Sequence, residues 1–167
     1  MIIHEIICFL IYQKLPLKEK FLEVLRTTKQ NVFVVAAKNE EKRQAMTVSS
    51  VFSVSLEPMS MAVSVNQDAS LHDLLTLETK FSLNLLSSDQ AEIAEICSGA
   101  EEGDVRFDHP DWEMSEIPFL KNAQSNLFCK CKKIIPIYSH SLIIGEIENI
   151  KHSGITNPLI YQDGKYL

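Results

Sequence analysis

Glycine is scarce in this chain of 167 residues: there are 5, against 6 prolines. Few turns can therefore use a residue that adopts positive φ freely, so turn chemistry does little to pin strand register. Long apolar runs are missing as well. The opening stretch MIIHEIICFLIYQ extends for only about a dozen residues, where a membrane span needs about 20. It has no basic n-region and no small-residue cleavage site, so it does not read as a signal peptide. Residues 1–16 read either as an extra strand or helix packed on the body of the protein or as an extension outside the core fold. A cytoplasmic location with no membrane association is the expectation.

Basic clusters are absent too. Lys and Arg number 16 against 22 Asp and Glu, for a net charge of −6. The longest basic cluster, Lys130 to Lys133, is broken by Cys131. Nucleic-acid backbones reward concentrated positive charge, so no nucleic-acid partner is expected. The 4 cysteines stand at positions 8, 97, 129 and 131. Cys129 and Cys131 would share one face of a strand, and no second pair at ligand spacing accompanies them. No metal site is expected, and the thiols read as free and reduced. No Ser–His–Asp arrangement or paired-carboxylate constellation is visible either.

What the chain does have is β-branched and hydroxyl-bearing strand sequence. Hydrophobic residues make up 46% and charged residues 23%, the proportions of one globular domain. PLKEKFLEVLRTT predicts a helix started by Pro16, with Leu17, Phe21, Leu22 and Leu25 on one stripe. NVFVVAAK, MTVSSVFSVSL, MSMAVSVN and FSLNLLS predict strands. SLHDLLTLETK predicts a further helix, with Ser70 and Asp73 as its capping box and Leu71, Leu74 and Leu75 facing inward. DQAEIAEICSG predicts a short helix closed by Gly99. Residues 100–126 hold acids, prolines and the single Trp112, and read as a long surface excursion. NLFCKCKKIIPIY, SLIIGEIENIKH and LIYQDGKYL return to strands. With strands outnumbering helices by about seven to three, the expected fold is mainly β with flanking helices, a closed or nearly closed antiparallel barrel.

The stretch AMTVSSVFSVSLEP, Ala45 to Pro58, combines small apolar residues with hydroxyls and carries no charge before Glu57. Two readings fit it. Its serines could be the solvent face of an ordinary sheet, or its hydroxyls and amides could hold an uncharged polar ligand. A flavin ring, flat and apolar on its faces with carbonyls and nitrogens along one edge, needs a wall of this composition. The junction VNQDASLH offers amide donors for a phosphate at a helix start, although capping alone also explains Ser70.

Six segments, AMTVSSVFSVSLEP, VSVNQDASLHDLL, KFSLNLLSSDQAEIA, Arg106-Phe107, HSLIIGEI and PLIYQDGKY, follow one another in an order and spacing that resembles the flavin reductase-like family. The resemblance covers about residues 17–167, taken as one domain after the apolar residues 1–16. It implies a homodimeric split β-barrel that binds FMN or FAD, takes electrons from NADH or NADPH, and can supply reduced flavin to a partner monooxygenase. A non-catalytic flavin-binding or interaction protein on the same fold is the alternative. Carried over by position, Met46, Thr47, Val48, Ser49 and Ser50 line the isoalloxazine edge, and Ser53 and Ser55 border it from the next strand. Asn66, Asp68 and Ser70 meet the ribityl chain and phosphate, Lys80 is a basic residue near them, and His140 stands near the nicotinamide. Ala45 replaces a frequent family glycine, and Met59 a frequent second proline. Taken alone, His72 reads as solvent-facing, Trp112 as a core or dimer anchor, Arg106-Phe107 as a loop anchor, and Tyr161 as packed with its hydroxyl at a rim.

Overall fold

The computed structural model describes residue 12, residues 15–100 and residues 103–167. Residues 1–11, 13 and 14 lie outside these, and with them the expectation for the apolar opening. In chain order the elements are helix α1 (Leu17–Thr27), strands β1 (Gln30–Asn31), β2 (Phe33–Lys38), β3 (Arg43–Val48), β4 (Val51–Leu56), β5 (Met59–Asn66) and β6 (Lys80–Leu85), and helix α2 (Ala91–Glu95). Strands β7 (Trp112–Glu113), β8 (Phe119–Leu120), β9 (Ser125–Ile137), β10 (His140–His152), β11 (Ile160–Gln162) and β12 (Lys165–Tyr166) follow.

Seven strands form one antiparallel sheet in the order β3-β2-β6-β9-β10-β5-β4. A mainly β chain with flanking helices is what the sequence predicts, but the closed barrel is not found. The sheet is open, with β3 and β4 as its two ends and no ladder joining them. A barrel requires its first and last strands to pair, whereas β3 pairs with β2 and β4 pairs with β5. The β4 pairing carries a register shift between Ser53 and Ser55, the kind of irregularity that bends a strand at a sheet edge.

Apolar side chains line both faces of the sheet. Phe33, Val35 and Ala37 of β2 point into one core with Val63, Phe81, Leu83 and Ile143. Val34 and Ala36 point into the other, with Ile93, Ala94, Trp112 and Leu159. This explains why NVFVVAAK is almost continuously apolar: a strand covered on both faces has no solvent side. The first core tolerates no side chain at Gly145, whose Cβ would lie 2.5 Å from Phe81 Cζ and 2.8 Å from Cys129 Cβ.

Residues 70–80 do not form the predicted helix. Only His72–Leu74 make a single 3-10 turn. Leu71, Leu74 and Leu75 do face inward, but Ser70 Oγ is directed away from local amides to Gln44 Oε1, 3.1 Å away. Three inward leucines satisfy a compact turn as well as they satisfy a helix. The short helix before Gly99 is found as α2, and Gly99 takes φ 106° in the turn that follows. In the excursion, Trp112 is buried; its Nε1–H donates to the Arg106 carbonyl at 2.7 Å, and its ring lies 4.9 Å from that of Phe107. Arg106 Nη1 donates to the Ala45 carbonyl at 2.6 Å, so Arg106-Phe107 anchors the excursion to β3.

Candidate functional site

Among the described residues β3 is an end strand, so one of its edges pairs with no other described strand. Its side chains alternate between the two faces of the sheet. Met46 and Val48 pack on the first core. Ala45 joins the second, and Thr47 Oγ1 donates to the Ala94 carbonyl of α2 at 2.7 Å. Where β3 ends, a cavity of about 350 Å³ opens on the α2 side. Thr47, Val48 and Ser49 form one side of it. Ser98 stands beside them, and Val32 is the aliphatic floor. Tyr161, Gly164 and Tyr166 of the C-terminal hairpin also line the cavity. Among the described residues, none that lines this cavity is charged. Among the described residues no hydrogen bond engages the half-buried Ser49 hydroxyl.

A second group gathers at the turn after β5, where Asn66 Oδ1 accepts the Asp68 N–H at 3.0 Å. Ser70 reaches across to Gln44 on β3. Asn66 pairs with His140 at the start of β10. The Gln67 amide donates to the His140 carbonyl at 3.0 Å, and His72 Nε2 lies 2.9 Å from the buried Ser141 Oγ. His72 is therefore half-buried and bonded, not solvent-facing as its sequence position implies. His140 itself is exposed, with Nδ1 2.9 Å from Ser139 Oγ.

The structure thus brings Thr47, Val48 and Ser49 together in one cavity, and Asn66, Asp68, Ser70 and His140 together at one turn. Ser70–Gln44 ties that turn to β3, five residues or about 16 Å of strand from Ser49. Met46 lies between, on the inner face. Ser50 is exposed just beyond β3, its carbonyl accepting the Ser64 N–H at 3.1 Å. Ser53 and Ser55 lie on β4, at the other end of the strand order. The Ser55 hydroxyl is engaged locally, accepting the Glu57 N–H and donating to the Glu57 carbonyl. Lys80 joins neither group. Its Nζ pairs with Glu116 at 2.9 Å in a separate groove beside Phe119 and Phe128, and that contact raises the Lys80 pKa and lowers the Glu116 pKa.

Sequence reading missed Gln44, Ser98 and Tyr166. Gln44 and Ser70 are too far apart in the chain for any local pattern to link them. Tyr166 did leave a signal: the Asp-Gly pair at 163–164 is hairpin chemistry, and both residues take positive φ here. The turn brings Tyr166 back beside Tyr161, with ring centroids 5.4 Å apart. The buried cysteines offer no nucleophile, because burial pushes the Cys97 and Cys129 thiols up to about 12. Among the described residues, no helix is long and apolar enough to cross a membrane.

Comparison with known proteins gives this geometry a context. The family described as the flavin reductase-like domain matches residues 25–167. The reductase component of an FADH2-dependent resorcinol hydroxylase from Rhizobium sp. MTP-10005 is 30% identical over 137 residues, which cover 81% of this chain and 76% of that one. The reductase component of 4-hydroxyphenylacetate 3-monooxygenase from Thermus thermophilus is 28% identical over 145 residues, 87% of this chain and 92% of that one. Among solved structures, an NADH:FAD oxidoreductase from Streptomyces globisporus, in complex with NAD and FAD fragments, matches with a TM-score of 0.81 at 23% identity. That match covers 90% of this chain and 91% of that one, and is a likeness of fold.

Proposed function

The chain belongs to the flavin reductase-like family, and from that premise we propose how its residues serve an NAD(P)H-dependent flavin reductase. The observation that carries the reading is the cavity at the end of β3, whose lining is uncharged among the described residues. A planar ring system with a carbonyl edge fits it, since Ser49 offers a donor with no partner among the described residues and Val32 an apolar side chain. When bound, the nicotinamide and flavin supply the chemistry themselves, a hydride passing from nicotinamide C4 to flavin N5. This chain's residues bind, orient and exclude water. Thr47 to Ser50 hold the ring edge through backbone amides as well as hydroxyls. A ligand lying across the free edge of β3 reaches the turn at Asn66, Asp68 and Ser70, which receives the ribityl chain and phosphate. His140, beside that turn, orients the nicotinamide. Lys80 is engaged elsewhere, so we leave it out of the phosphate site.

The bound flavin in this proposal is FMN or FAD, the electron donor NADH or NADPH, and the reduced flavin passes to a partner monooxygenase. The roles of the two relatives as reductase components support that last step. A homodimer is part of the same reading. α1 buries none of its residues, and Leu17, Phe21 and Val24 are at least half exposed at 84%, 59% and 50%. Phe52, Val54 and Leu56 are likewise exposed on β4, and exposed apolar side chains on these two elements support an interface. Sedimentation at micromolar concentration reads that state directly.

The deciding experiment is NADH consumption by the purified protein without flavin, with FMN and with FAD. Flavin-dependent oxidation is expected; its absence with both flavins rejects the reading. Ser49→Trp, which fills the cavity, should abolish flavin binding, and normal binding by that variant would remove the stretch from the site.

A further inference from the structure

The cavity at the end of β3 has a second side that the hydroxyl run does not explain. β11 and β12 fold back through Asp163-Gly164 and place Tyr161 opposite Tyr166 in register. The hairpin is firmly held. Tyr161 pairs with Gln30, the Val32 N–H donates to the Leu159 carbonyl at 3.0 Å, and Leu159 is buried in the second core. The Leu167 N–H closes the end on the Ile160 carbonyl at 2.8 Å. Thr47 and Ser49 line the same cavity.

Neither tyrosine has a hydrogen bond to its phenol oxygen among the described residues, although Tyr166 is half-buried. Burial, and then the neighbouring Tyr161, Glu95 and Cys97, raise the Tyr166 pKa, so its phenol keeps its proton and remains a donor. A partly buried aromatic face, two unpartnered phenols and hydroxyls in the same cavity, with no charge between, make a slot for a flat ring edged with acceptors.

We propose that Tyr161 and Tyr166 form the second wall of this cavity, an aromatic face against which a planar heteroaromatic ring with a carbonyl edge rests. The inference builds on the flavin reductase reading above. Isoalloxazine and nicotinamide share this chemistry, and separate titrations tell them apart.

The test measures FMN binding by fluorescence titration and NAD+ binding by calorimetry in Tyr161→Leu, Tyr166→Leu and Tyr166→Phe. Each Leu variant should weaken one of the two nucleotides by about three- to tenfold, the scale of one lost aromatic contact, and the nucleotide affected identifies the ring. Tyr166→Phe keeps the face and loses only the phenol donor, so its affinity should fall between that of Tyr166→Leu and the parent protein. Affinities for both nucleotides that change by less than about threefold in the Leu variants overturn the inference. Should Tyr166→Leu fail to fold, Tyr161→Leu decides alone, because that side chain is 38% exposed. Ser49→Trp separates the two levels of argument. If it blocks binding while the tyrosine variants bind normally, only the aromatic wall falls; if it binds both nucleotides normally, the cavity is not the site and the inference falls with it.

Discussion

Asn84, in the middle of the seven-stranded sheet, and Ser49, just past its end strand, both set small polar side chains among apolar neighbours. They differ in what satisfies them. The Asn84 amide donates to the Val34 carbonyl at 2.8 Å and to Ser82 Oγ at 2.9 Å. Its Oδ1 accepts the Leu120 N–H at 3.0 Å and the Asn126 amide at 2.8 Å. Ser82 Oγ in turn donates to the Pro118 carbonyl at 2.6 Å. Every polar atom of Asn84 is used, and this network ties β2, β6, β8 and β9 together. Ser49 ties nothing. Polar residues with complete protein partners are structural, and those left open at an edge are where a ligand can supply the missing half.

Three substitutions can break or sharpen that contrast. The largest effect should come from Asn84→Ala, which strands several buried groups at once and should cost about 3 kcal/mol of stability. Urea denaturation should show a lower midpoint with an unchanged slope, while the folded fraction binds flavin normally. A loss under about 1 kcal/mol would mean that the network is not holding the sheet. His140→Ala comes next. Because His140 is exposed, stability should hold, and NADH-dependent turnover should fall by about 10- to 100-fold with flavin affinity within a few-fold. Turnover unchanged in a well-folded variant would remove His140 from the reaction. The smallest effect should be that of Ser49→Ala, with flavin binding weakened by about 0.5–1.5 kcal/mol and the melting temperature unmoved. A drop in melting temperature without loss of affinity would place Ser49 with Asn84 as a structural residue.

The strands were legible because β-branched alternation reports which face a side chain takes. β2, β5, β9 and β10 are where their sequences predict them, and the family was legible from the order of six short segments. Partner choice was not. MTVSSVFSVSL reads as one strand by alternation, but the structure breaks it at Ser49-Ser50 into β3 and β4, which do not pair with each other. The turn at residues 70–80 misled for a related reason: the spacing of Leu71, Leu74 and Leu75 fits two kinds of turn, and the contact that distinguishes them, Ser70 to Gln44, is remote in sequence. Lys80 was assigned by neighbourhood along the chain, but its partner is Glu116. Asn84 and Asn126 gave a signal that went unused, since an asparagine inside FSLNLL or SNLFC is out of place unless its amide is fully bonded.

The strand order also bears on how the chain is made. The β2–β3 and β4–β5 hairpins close between chain neighbours and can form as soon as they leave the ribosome. They cannot join into one sheet then, because β6 reaches β5 only through β9 and β10. Those two strands end at His152, far along the chain from β5 and β6. Pairings over such separations form late, since a long loop must close before any contact rewards it. Until then the bare edges belong to β5 and β6, strands that in the finished protein are covered on both sides. The edges that need protection from misassociation in the nascent chain are therefore not the ones that stay open in the mature sheet.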